Sequence, residues 1–171
     1  LLGIGYFFKK GSGNFDKALC YFEEGEKMGD ISCALWRIRT YLAKIEGNLT
    51  EKDASCLIDI CQKIINKDNS LDDWAVGEAY DELAHIYLMC PSLNKGYETF
   101  KSILLKGVKA NASDCFLYLF EQEKKSKEAD ESELSQLLDA YYKNNNSSFD
   151  LFKIYLTDPV FYNPSKAKMI L

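Results

Sequence analysis

His85 is the one histidine in the chain, and Cys90 stands five residues after it. A thiol nucleophile activated by an imidazole base is the chemistry those two types would perform. It needs the pair side by side, with a third group orienting the base. Five positions along a helix place them badly for that, so His85 reads as a surface or groove residue. Glu23-Glu24 and Asp72-Asp73 are adjacent in sequence and diverge on a helix, which points to solvated faces or caps rather than acid-base pairs. Gly11-Ser12-Gly13 lacks the preceding strand and the following lysine and serine of a phosphate loop. Six cysteines (Cys20, Cys33, Cys56, Cys61, Cys90 and Cys115) lie scattered with no C-x-x-C pair, and only one histidine exists to complete a mixed zinc site. The expectation is free, mostly buried thiols, no metal, no cofactor and no enzyme.

The elements that carry these residues follow from composition and spacing. A chain of 171 residues, 47% hydrophobic, can bury a sizeable core as one domain. Its net charge of −5 supplies no overall field toward nucleic acid or anionic lipid. The most charged run, Glu121-Gln122-Glu123-Lys124-Lys125-Ser126-Lys127-Glu128, mixes both signs without aromatics, unlike a nucleic-acid strip. No apolar run approaches the roughly 18 residues of a membrane-spanning helix. Leu1-Leu2-Gly3-Ile4-Gly5-Tyr6-Phe7-Phe8 is short and has no basic front, so it reads as part of a packed helix. The sequence opens without methionine and stops in the apolar Lys168-Met169-Ile170-Leu171, which suggests a segment of a longer or processed chain.

Three prolines and apolar residues at three- and four-residue spacing predict helices throughout. One phrase recurs: a small residue, three others, two mostly apolar or small residues, two others, then an aromatic. It is clearest at Ala79-x-x-x-Leu83-Ala84-x-x-Tyr87 and returns at Ala112-x-x-x-Phe116-Leu117-x-x-Phe120 and Ser147-x-x-x-Leu151-Phe152-x-x-Tyr155. The same phrase ends at Tyr6 after Leu2-Gly3, and at Tyr41 after Cys33 with Arg37-Ile38 in place of the apolar pair. The aromatic anchors therefore step by 35, 46, 33 and 35 residues. Two helices of about a dozen residues with two turns fill such an interval. The long step has a local cause in the polar cluster Asn66 to Asp73, read as an insertion of about ten residues. Thr50, Ser92, Asp130 and Asn163 are candidate N-caps for second helices, with Pro164 in a first helical turn.

Leu2-Gly3-x-x-Tyr6, Gly11-x-Gly13, Asp16-Lys17-Ala18 and Gly25-x-x-x-Gly29 resemble the Sel-one-like repeat of the tetratricopeptide-like superfamily. The third unit matches at Ala79, Leu83, Ala84, Tyr87 and Lys95, with Gly96 where alanine is usual and Gly107 closing it, and the fifth at Ser147, Leu151, Tyr155, Lys166 and Ala167, with Asp158-Pro159 where the glycine turn belongs. The second and fourth units match by spacing only, and ordinary tetratricopeptide repeats remain the nearest alternative. The resemblance implies an all-α, right-handed α-solenoid of about five helix-turn-helix repeats, spanning approximately 1–30, 31–68, 72–110, 111–145 and 146–171. It implies a scaffold or adaptor that assembles protein complexes. Members with a disulfide in every repeat have paired cysteines at a fixed spacing, which this chain lacks.

In such a stack, residues two before each anchor face the concave side: Ile4, Arg39, His85, Tyr118 and Lys153. One past each anchor stand Phe7, Leu42, Leu88, Glu121 and Leu156. The expected groove has an apolar edge and a partly cationic centre, suited to an extended segment or helix of an acidic protein partner. The alternative is a structural spacer within a larger solenoid, and catalysis has the least support. Neither Asn48-Leu49-Thr50 nor Asn111-Ala112-Ser113, which fit the glycosylation pattern, identifies a compartment.

Overall fold

The computed structural model describes residues 2–7, 14–66, 73–93, 96–125, 131–144 and 149–170. The fold is all-α, and no β-strand occurs among the described residues. In chain order the helices are α1 (Leu2–Phe7), α2 (Phe15–Lys27), α3 (Ile31–Ile45), α4 (Glu51–Ile65), α5 (Asp73–Met89), α6 (Tyr97–Lys109), α7 (Ser113–Lys125), α8 (Glu131–Asn144), α9 (Phe149–Thr157) and α10 (Pro164–Ile170). The Gly11-Ser12-Gly13 turn, most of the proposed insertion, Asp130 and Ser147 lie outside the described residues.

Local chemistry sets several boundaries. Thr50 precedes α4, and its hydroxyl accepts from the Asp53 amide at 3.2 Å. Asn163 does the same for α10, accepting from the Lys166 amide at 3.0 Å, with Pro164 opening the helix. Asp30 caps α3 through the Cys33 amide at 3.1 Å. Ser92 is not a cap. It sits in a 3-10 turn, Pro91–Leu93, closed by the Leu93 amide donating to the Cys90 carbonyl at 3.2 Å, and α6 starts after Gly96, whose φ is +109°. The proline and this extra turn delay the helix by one turn of chain.

Each helix packs on its neighbour in sequence from α1 through α8, and α9 packs on α10; α3 also meets α5, α5 meets α7, and α6 meets α8. Buried side chains form two apolar clusters, one across α3, α4 and α5 and the other from α5 through α10, with Tyr80 and Tyr87 of α5 against both. The small positions of the recurring phrase, Ala79 and Ala112, are fully enclosed, as are Phe116 and Phe120. At the amino-terminal end, Phe7 meets Phe15 and Trp36 at ring-centroid separations of 5.9 and 5.5 Å, and Phe22 stacks on Trp36 at 6.1 Å.

A second periodicity emerges from the turns. Helices α2 and α6 have equal length, and every boundary of α2 and the start of α3 recurs 82 residues later in α6 and α7. The Gly25 carbonyl accepts from Met28 and Asp30 at 3.1 and 3.0 Å; the Gly107 carbonyl accepts from Ala110 and Ala112, both at 2.9 Å. Gly29 and Asn111 take left-handed φ values of +89° and +63° at matching places. A Cβ on Gly25 would lie 2.8 Å from Cys33 Cβ, and one on Gly107 would lie 2.8 Å from Cys115 Cβ. The two glycines are therefore required by the same helix-on-cysteine approach. This registration sets Phe120 opposite Ile38 rather than Tyr41, three residues from the match that the aromatic spacing suggests.

Helix α5 lies directly on the α6–α7 turn at Gly77, where a Cβ would stand 2.5 Å from the Ala110 carbonyl oxygen. That turn is held by its own hydrogen bonds and cannot move aside cheaply. Gly77→Ala should therefore lower stability by about 2 kcal/mol in urea denaturation, an overpacking cost that outweighs a gain of about 1 kcal/mol in helix propensity. Gly29→Ala, strained in φ but with nothing within 4 Å, should cost about 1 kcal/mol. An unchanged midpoint for Gly77→Ala would show that the close approach is absent in solution.

Candidate functional site

The ten residues placed on the expected groove divide by environment, Ile4 being half-buried and Leu156 exposed. His85 and Leu88 lie one turn apart on α5 and are exposed, Leu88 to 40%. Glu121 on α7 and Lys153 on α9 are exposed as well. Leu42 is instead buried in the α3–α5 cluster, Phe7 belongs to the aromatic group around Trp36, and Tyr118 is half-buried with its ring edge-on to Phe100 at 5.5 Å. Those three contribute to packing.

Arg39 is half-buried and already committed. Its Nε donates to Glu82 at 2.5 Å, a second guanidinium nitrogen pairs with Glu78, and the group lies 5.7 Å from the Trp36 ring centroid. Glu82 is only 7% exposed, and burial pushes its carboxyl above the ordinary carboxylate range against the pull of Arg39. Arg39 thus ties α3 to α5.

An interhelical cap escapes sequence reasoning altogether. Asp81, one helical turn beyond Gly77, accepts from the Cys115 amide at 2.8 Å, so a carboxylate on α5 caps the first turn of α7. The Cys115 thiol donates to the Tyr80 carbonyl at 3.4 Å. Burial raises Asp81 from 3.8 to about 6, with Asp114 adding like-charge repulsion and the Cys115 amide opposing the shift. Nothing in the local sequence marks Asp81, because its partner is 34 residues away.

The thiols of Cys61 and Cys115 are pushed far up by burial, which removes them as nucleophiles at neutral pH. Among the described residues, which include all six cysteines, none is disulfide-bonded; Cys61, Cys90 and Cys115 are buried, Cys33 is half-buried, and Cys20 and Cys56 are exposed. Cys90 Sγ lies 3.5 Å from Ser92 Oγ. No group of three histidine, cysteine, aspartate or glutamate side chains is placed to hold a metal among the described residues, and no described helix is long and apolar enough to cross a membrane. Compared with protein-family models, with curated proteins and with solved structures, the chain gives no match.

Proposed function

We propose that this chain is a helical-repeat scaffold of the Sel-one-like or tetratricopeptide-like kind, an α-solenoid that binds a protein partner and catalyses no reaction. The observation carrying this reading is the recurrence, 82 residues apart, of the same helix, turn and glycine-on-cysteine packing. Two hairpins per period is what a stack of helix pairs produces, and the additional packing of α3 on α5 and α5 on α7 is what stacked first helices make.

The binding face proposed is the part of the groove left open: His85 and Leu88 on α5, Glu121 on α7 and Lys153 on α9. It offers an apolar edge beside hydrogen-bonding and charged groups, which suits an amphipathic segment with acidic character. Photo-crosslinking side chains at Leu88 and at Lys153, compared with one at the exposed Gln62 of α4, test the assignment in extract from the native source. The expected result is one common adduct from the first two positions and none from the third. Leu88→Asp with Lys153→Glu should then weaken that partner about tenfold or more, as a desolvated anchor and a charge are lost together. Equal labelling from all three positions, or unchanged affinity in the folded double variant, would favour the spacer reading.

A further inference from the structure

Helices α2 and α3 share a register with α6 and α7, so each residue of α2 and of the first turns of α3 has a counterpart that shows what the same place looks like when filled. In the later copy Phe116 lies against Tyr141, ring centroids 4.0 Å apart and planes within 1° of parallel, both fully buried. The counterpart of Phe116, 82 residues earlier, is Ala34. The Phe116 ring is thus missing from the earlier copy. A cavity of about 260 Å³ opens there, bounded by Ala34 and Ile31 of α3, Ile60, Lys63 and Ile64 of α4, and Glu26 and Asp30 at the α2–α3 turn.

The rim changes together with the floor. Glu26 and Asp30 in the open copy correspond to Val108 and Ala112 in the filled one, both buried. The ring has been exchanged for a small side chain, and the apolar rim for two carboxylates. Glu26 already shares its charge with Arg37 at 2.5 Å, whereas Asp30 is exposed and uses one oxygen to cap α3. Lys63 is the one cation in the lining. The volume suits a single large side chain rather than a cofactor.

We infer that this cavity is a docking pocket for an aromatic side chain next to a lysine or arginine, carried on a partner polypeptide: the ring takes the place that Phe116 fills in the other copy, and the cation meets Asp30 and Glu26. The pocket lies between α3 and the carboxyl-terminal half of α4, among residues distinct from the open groove face. A partner could therefore engage either surface independently.

The test uses the whole chain labelled at isoleucine and alanine methyls, titrated with N-acetyl-phenylalanyl-arginine amide and followed by NMR. Ring-current shifts are expected on Ile31, Ala34, Ile60 and Ile64, with an affinity in roughly the millimolar range. The phenylalanyl-glutamate and alanyl-arginine analogues should bind more weakly. Lys63→Glu should tighten the arginine probe by about twofold to fivefold and Asp30→Asn, which keeps the cap acceptor, should weaken it by a similar factor. Ala34→Phe, copying the filled pocket, should abolish binding; the two rim variants carry the test if that one fails to fold. The inference is overturned if those methyls stay unmoved at about 10 mM probe, or if the glutamate analogue binds equally well. It is also overturned if folded Ala34→Phe still binds, or if octyl glucoside shifts the same methyls as strongly as the aromatic probe.

Discussion

Replacing Arg39 by methionine is expected to lower folding stability by about 3 kcal/mol at pH 7, read as a shift in the urea midpoint. Methionine retains much of the alkyl stem, so the loss isolates the guanidinium, with its ion pairs and its place 5.7 Å from the Trp36 ring centroid. What remains is Glu82, nearly enclosed and already held above the ordinary carboxylate range by burial, with Glu78 beside it and no guanidinium between them. Two neighbouring carboxylates without their counter-ion must hydrate or take up a proton. Adding Glu82→Gln should therefore recover roughly 2 kcal/mol of the loss, because the neutral amide carries no charge to desolvate. Additive effects of the two changes would show that the pair contributes nothing to joining α3 and α5. For the same reason, charge reversal at Arg39 is a poor probe of partner binding: it would unfold the contact between two helices before it reported on any groove. Lys153, exposed on α9, is the residue that can report.

Several elements are legible in the sequence because their determinants are local. Thr50 and Asn163 cap the helices that follow them, and the small residues Ala79 and Ala112 of the recurring phrase are enclosed in the core. The turn at Asp158-Pro159, which departs from a glycine pattern, is built by other local means: the Asp158 carboxylate accepts from the Val160 and Phe161 amides at 3.0 and 3.4 Å and pairs with Lys124 of α7. What is not legible depends on partners far along the chain. Arg39 reads as a groove residue by its helical position, but Glu78 and Glu82 turn it inward from about forty residues away. Leu42 follows the same positional rule and ends in the core, because one face of α3 must serve both α4 and α5. The aromatic spacing finds the helix pairs yet misses their register, since Gly25 with Cys33 and Gly107 with Cys115 identify equivalent turns while Tyr41 and Phe120 occupy different turns of their helices.

The cap that Asp81 places on α7 should make stability depend on pH in a direction opposite to that of a salt-bridged carboxylate. Its folded value of about 6 lies above its ordinary 3.8, so between those values the folded chain holds a proton that the unfolded chain has released. The contribution is complete below about pH 4 and is lost as pH rises through 6, amounting to roughly 3 kcal/mol between pH 4 and pH 7. Other groups titrate nearby, Asp150 being raised by burial and by Asp114, so the wild-type curve alone does not isolate the effect. Asp81→Asn does. The amide oxygen can still accept from the Cys115 amide, and it cannot ionise. The variant should match the wild type near pH 4 and exceed it near pH 7, the gap closing as the buffer is acidified. Asp81→Ala removes the acceptor as well and should fall below Asp81→Asn by about 1 kcal/mol at every pH. Parallel stability curves for wild type and Asp81→Asn would show that this carboxylate is solvated and ionised across the range, and that the first turn of α7 is capped by water instead.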